Sequence, residues 1–450
     1  MDILKRWQTK SFFGYALLLY VVVFFFVSIT QQGKIPPISI VTVQFLGAVL
    51  VYFCSLVYSN RSISTTLFII FLFQLSAGFG LRYFNVEYFG DPLGYKPMDS
   101  LFYHRFASHT GLSFSSFINY LFSHNVMMDD MGQNIIEFLV YQAAGSPEAG
   151  MSWLVFVNSV AITLTCYFVY RTAMRFFEQK VAMFMAFFWG MELFAVYVSA
   201  AGLKENFMVM FIVIALFYTV KLNEQFTLKD FFLSLLFASA ALLFRLPVFY
   251  MLVACILFVI ALRLPLVKRY FYVFMLVMLG VATIYYYQTI DEIALQRGYS
   301  YDILQELARS KSRGISSSMM FLTNTLAAFF GPFPTMLTDD SMKVNYITLY
   351  SFSSFCKLIY SFFFAYGLYG IIRFKKFDLV PMVLFWALDT FMLLFTLFAL
   401  HDRYQWPHMP FTLIIAGYGV VAWYENRHVL NWKRMYVYFA LSMIVVYNFR

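Results

Sequence analysis

Residues 151–170 read Met-Ser-Trp-Leu-Val-Phe-Val-Asn-Ser-Val-Ala-Ile-Thr-Leu-Thr-Cys-Tyr-Phe-Val-Tyr, twenty positions without a formal charge, and Arg171 and Arg175 follow at once. A helix of that length rises about 30 Å, the thickness of the hydrocarbon core of a bilayer. A strand of a membrane barrel would alternate polar and apolar residues, and this run does not. In hydrocarbon every backbone N–H and C=O must be satisfied within the protein, which a helix achieves alone. The stretch therefore predicts a transmembrane helix.

The pattern recurs along the chain, near residues 11–29, 39–59, 64–81, 181–199, 205–220, 230–245, 247–262, 270–287, 347–371, 378–400, 409–424 and 435–449. The expected fold is all-α: a polytopic integral membrane protein with about thirteen transmembrane helices and one membrane domain over residues 1–450. Composition agrees, with 62% hydrophobic and only 12% charged residues, about half the charged share of a soluble domain. Lys5, Arg6 and Lys10 precede an apolar run to Val27 that lacks a small-residue cleavage site, so the first span is read as uncleaved. Cys54, Cys166, Cys255 and Cys356 all fall in apolar runs and form neither a disulfide framework nor a CxxC metal pattern.

The net charge of +9 does not point to nucleic acid, because no basic run is long enough to track phosphates. It is explained by topology. With the N-terminus in the cytoplasm, Arg61, Arg171, Arg175, Lys180, Lys221, Lys229, Arg263, Lys268, Arg269, Arg373, Lys375, Lys376, Arg427, Lys433 and Arg434 all fall on that side, as the positive-inside rule requires. Trp7, Trp406, Trp423 and Trp432 stand at span ends, where an aromatic belt is expected. Two long segments, 82–150 and 288–346, are then extracytoplasmic in the plasma (inner) membrane. The second contains Met319–Phe330, too short to span and read as re-entrant or interfacial. Long segments in a compact protein are usually functional, so any chemistry is expected outside.

Four features could carry it. Asp99, in Asp99-Ser100-Leu101-Phe102-Tyr103-His104-Arg105-Phe106-Ala107, could act as a general base, and could equally cap a helix starting at Ser100. Asp91, between Gly90 and Pro92, is a second acidic candidate in a turn. His104 and His109 could share a divalent metal ion with Asp99, although their spacing matches no ligand motif. Lys204-Glu205 opens a span; the acid suits the helix dipole, and the lysine needs an anion nearby. Arg245 lies in the tight turn between two spans, and Arg403-Tyr404 lies in the His401–Pro410 entry to another. Lys204, Arg245 and Arg403 are basic residues on the side that disfavours them, where they could hold a phosphate.

Three of these elements, in order, resemble the GT-C superfamily of membrane glycosyltransferases. They are Asp-x-x-x-Tyr-His-x-x-Ala over Asp99–Ala107, Gly-Leu-Lys-Glu over Gly202–Glu205, and Arg-Tyr-x-x-Pro-x-x-Pro over Arg403–Pro410 before Ala416-Gly417-Tyr418-Gly419. The resemblance covers roughly residues 95–425. It implies a polyprenyl-phosphate-linked sugar donor, an acidic base in the first outer segment (Asp99, or less well Asp91), and basic residues on the lipid phosphate (Lys204 and Arg403). Arg245 and Tyr404 are added as phosphate-binding candidates from their own positions. His104 and Glu205 would be supporting residues. The chain differs in having three spans before the acidic segment and an acidic pair, Asp129-Asp130, late in it.

Topology and resemblance converge, since nucleotide sugars are cytoplasmic and an outside site needs a lipid-delivered donor. The expected activity is sugar transfer from a polyprenyl phosphate or diphosphate to an extracytoplasmic glycan, lipid or protein, in cell-envelope polysaccharide biosynthesis. A polysaccharide polymerase of the O-antigen type is the near alternative. An ion-coupled transporter or a flippase of lipid-linked oligosaccharide is the distant one. It is motivated by Glu192, Lys357 and Asp389 within spans, which could instead pair internally, Lys357 with Asp389 or Glu192.

Overall fold

The computed structural model describes residues 63–94, 98–262, 347–396 and 402–425. The spans expected at 11–29, 39–59, 270–287 and 435–449, and the second outer segment, lie outside the described residues. Those described form helices α1 (Ile63–Phe89), α2 (Met98–Ala107), α3 (Phe114–Ser123), α4 (Met128–Ala144), α5 (Pro147–Ala173), α6 (Gln179–Gly190), α7 (Leu193–Ala201), α8 (Glu205–Glu224), α9 (Leu228–Leu242) and α10 (Leu246–Ala261). After the gap come α11 (Ile347–Arg373), a short 3-10 turn at Phe377–Leu379, α12 (Val380–Thr396), α13 (Asp402–Gln405) and α14 (Met409–Glu425). No strand occurs among the described residues.

Among them, four helices are long and apolar enough to cross a bilayer, five if the bent pair α6–α7 is one span. The twenty-residue run that opened the sequence sits inside α5, which Ser146 caps through Ala149 N–H and Pro147 initiates. The segment expected to be the first outer one, residues 82–150, holds the end of α1 and all of α2, α3 and α4. A small core of Ala107, Phe117, Leu121, Phe138 and Tyr141 packs α2, α3 and α4 together.

The run at 181–199 is not one straight helix. It breaks at Met191-Glu192, and α6 and α7 meet at 43°. Gln74, buried on α1, donates its amide to the Gly190 carbonyl at 2.8 Å, a group that the break frees from its helix. Gly190 also lies against Ile70, where a Cβ would come within 2.7 Å, so α1 approaches the break closely.

Small residues permit a closer approach between α11 and α14. A Cβ on Gly419 would overlap the Phe363 carbonyl oxygen, and one on Gly367 would overlap that of Ile415. Packing of this kind, backbone against backbone at glycines, drives helix association where lipid offers no hydrophobic gradient.

The bundle has two chemically different ends. Arg175, after α5, pairs with Glu224 at the end of α8, and Lys221 pairs with Asp230 at the start of α9 at 2.5 Å. Asn223 donates to the Phe377 carbonyl at 2.8 Å, next to Lys375 and Lys376. The basic residues of these short connections thus gather at one end. Lys204, Glu205, Arg245, Asp99 and Arg403 stand at the other.

Candidate active site

Helix α7 stops where Gly202 takes a left-handed conformation, φ +69°, which a glycine adopts without a Cβ penalty. The Gly202 and Leu203 N–H groups both return to the Val198 carbonyl. The chain then reverses into α8 with Lys204 at its cap and Glu205 as its first residue. Below this junction Asn206, fully buried, donates to the Ala195 carbonyl and Ser199 Oγ, both at 3.0 Å, and to Asn158 Oδ1 at 3.2 Å. The start of α8 is therefore tied to α7 and α5.

Two ion-pair groups meet there. Lys204 Nζ donates to Asp130 Oδ1 at 2.5 Å and to the Asp129 carbonyl at 2.7 Å. Tyr103 Oη donates to the same Asp130 oxygen at 2.8 Å. Beside this group Arg403 donates through Nε to Glu205 and through Nη1 to Asp99. Residues from α2, α4, α8 and α13 thereby converge. Asp99 lies inside the first turn of α2, which begins at Met98, so it is not the cap expected before Ser100. Its side chain is 50% exposed, while that of Glu205 is fully buried.

The electrostatics follow from this arrangement. Burial works against the charge of Arg403, but the Glu205 and Asp99 carboxylates outweigh it and hold the guanidinium protonated well above the usual range. Burial, with Asp130 and Glu205 alongside, pushes the Tyr103 phenol well up, so it remains a donor. Arg245 lies over the Tyr404 ring, 4.9 Å from its centroid, which brings a second guanidinium close to the residue that follows Arg403.

The remaining candidates lie elsewhere. Asp91 accepts from the Leu93 N–H at 2.8 Å and closes its own turn. His104 Nδ1 meets Tyr141 Oη at 3.0 Å, and burial lowers its affinity for a proton against the pull of Glu148 and Asp91. His109 contacts the Phe106 carbonyl and Tyr120. The pair does not join Asp99 in a metal site, and among the described residues no three His, Cys, Asp or Glu groups form a metal-holding set.

Trp406 is not a belt residue. It is 1% exposed and stacks on Trp189, ring centroids 4.5 Å apart. Asp389 takes His408 as its partner at 2.6 Å, and Lys357 donates to Gln405.

Sequence reasoning missed that Asp130 accepts from both Lys204 and Tyr103. It also missed a buried chain behind them. Gln133 Nε2 donates to Glu137 Oε1 at 2.7 Å and to the Gly202 carbonyl at 3.0 Å, and Tyr141 Oη donates to Glu137 Oε2 at 3.3 Å. Burial raises the Glu137 carboxyl to about 8 despite those hydrogen bonds and nearby Arg82. The visible signal was the spacing of Gln133, Glu137 and Tyr141 at successive turns of one helix face.

With the geometry in place, comparison supplies the class. Residues 139–287 match the family model of dolichyl-phosphate-mannose-protein mannosyltransferases, a family of the GT-C superfamily. The resemblance to GT-C membrane glycosyltransferases holds. The matched third of the chain contains Lys204, Glu205 and Arg245, while Asp99 and Arg403 join them only through the fold. No curated protein and no solved structure matches the chain. At family level, the match supports a membrane glycosyltransferase that uses a polyprenyl-phosphate-linked sugar.

Proposed function

We propose that the chain transfers a sugar from a polyprenyl phosphate or diphosphate to an extracytoplasmic glycan, lipid or protein acceptor, at the cluster formed by Asp99, Arg403, Glu205 and Lys204. The observation that carries this is Arg403 between two carboxylates, one buried and one half exposed. Glu205 anchors the guanidinium, and Asp99 keeps an oxygen within reach of an acceptor.

In the proposed reaction the acceptor hydroxyl gives its proton to the Asp99 carboxylate as its oxygen bonds to the anomeric carbon. The bond from that carbon to the phosphate oxygen breaks, and the electron pair leaves with the lipid phosphate. The phosphate gains charge in the transition state, where Arg403, Lys204 and Arg245 stabilise it more than in the ground state. An arriving phosphate competes with Asp99 for Arg403, which frees the carboxylate to act as base.

The positive-inside distribution supports an outer location, since the basic connections around Arg175, Lys221 and Lys376 lie at the opposite end. A cytoplasmic N-terminus and an inner-membrane location belong to the same proposal. The test is product formation by purified protein given polyprenyl-phosphate sugars, with Asp99→Asn and Arg403→Lys compared with the unaltered chain. Equal product from all three would remove the assignment.

A further inference from the structure

Lys357, Asp389 and His408 are buried side chains at 2%, 0% and 0% exposure, and the transfer reaction does not touch them. Each is engaged with, or belongs to, the segment that carries Arg403. Helix α13 is a single turn, Asp402–Gln405, followed by a non-helical turn through His408 before α14 begins. Such a short element has little internal rigidity of its own.

Among the described residues, contacts at Gln405, Trp406 and His408 hold it. Gln405 accepts from the Lys357 ammonium of α11. Trp406 packs against Trp189 at the end of α6 and against Phe194 of α7, with centroids 4.5 and 4.6 Å away. His408 Nδ1 donates to Asp389 of α12 at 2.6 Å. Arg403 is two residues from the first contact and five from the last. The turn thus has its arginine directed to Asp99 and Glu205 and its other side chains locked into four helices.

We propose that Lys357 and Asp389 are positioning residues, which hold the α13 turn so that Arg403 presents its guanidinium to the lipid phosphate. This rests on the transferase function proposed above. It assigns the interior charges to that site and not to ion coupling. Charges buried at this depth are costly and persist where they pair and serve a function. A rigid support for a phosphate-binding group is such a function, because orientation errors of about 1 Å cost heavily in catalysis.

The experiment uses the full chain in lipid nanodiscs with a spin label at Asp402→Cys and a reference label at Met128→Cys, an exposed position. The probe ligand is undecaprenyl phosphate, a polyprenyl phosphate of the kind that a monophosphate-linked donor releases. Lys357→Met and Asp389→Asn come from different helices, so one folding failure does not end the test. The expected result is a more mobile label at 402 with no change at 128, and undecaprenyl phosphate affinity about tenfold weaker, the size of one coupled contact.

An unchanged label at 402 in both variants would overturn the positioning role. A mobile label with native affinity would overturn the link to the phosphate site. If the unaltered chain fails to bind undecaprenyl phosphate while the variant labels still become mobile, the reading of Arg403 as a polyprenyl-monophosphate ligand fails and the bracing of Arg403 stands.

Discussion

Arg403 and Glu205 lie 198 residues apart in sequence and share a hydrogen bond through Nε and Oε1, at the end of the bundle opposite its basic connections. The same guanidinium reaches Asp99 with Nη1. One side chain therefore joins α2, the start of α8 and the entry to α14.

That bridge depends on a planar fork with several donors, which lysine lacks. Arg403→Lys should preserve charge and expression but lose one of the two contacts. Turnover is expected to fall about 10²–10³-fold, as when a donor to developing charge is removed. Steady-state kinetics would check this, and a change confined to KM would show that the group binds ground and transition states alike.

The α11–α14 crossing makes a prediction about stability alone. Gly419→Ala places a methyl where the Phe363 carbonyl oxygen already stands. The helices must separate, at a cost of about 1–3 kcal/mol or more. Thermal unfolding in detergent should show a lower midpoint, while Gly80→Ala, with nothing within 4 Å of the added carbon, should not.

Glu137 gives a pH dependence with a definite sign. Its folded-state affinity for a proton is raised from 4.5 to about 8, so between those values the folded chain keeps a proton that the unfolded chain has released. Stability contributed by this group is then full below the unfolded value and falls as pH rises toward 8. Glu137→Gln should flatten the fall. Melting curves at pH 5 and pH 8 would measure it, and an equal slope in native and variant would refute the assignment.

Much of this was legible in the sequence, for reasons that differ by residue. The α5 and α8 spans could be read because a long apolar run of membrane length fits little besides a helix that crosses a bilayer. The break at Met191-Glu192 could not, since apolar runs flank Glu192 on both sides and the partner of the freed carbonyl, Gln74, comes from another helix. Lys204 was seen to need an anion. That the anion is Asp130 was hidden by the 74-residue separation and by a pairing that depends on how α4 packs against α5. An internal pair of Lys357 with Asp389 or Glu192 was one reading of the sequence, whereas His408, which Asp389 engages, looked like part of an interfacial loop.

Topology comes before chemistry. Ser123 is exposed on the outer segment, and Lys376 is exposed among the basic connections at the other end. Cysteine at Ser123 should react with an impermeant reagent on intact cells, and cysteine at Lys376 only after the membrane is opened. The reverse pattern would put the cluster in the cytoplasm and remove the need for a lipid-delivered donor.

The central claim, that Asp99 takes the acceptor proton beside Arg403, is tested most directly by Asp99→Asn. The change preserves shape and the capacity to serve a helix N-terminus, and the side chain is half exposed, so folding should be unaffected. The measurement is glycan product in cells that lack the native gene, complemented with Asp99→Asn or Asp91→Asn at matched protein level. The account predicts a loss of about 10²–10⁴-fold for Asp99→Asn and near-native product for Asp91→Asn, whose carboxylate closes a turn. Native product from Asp99→Asn would contradict it.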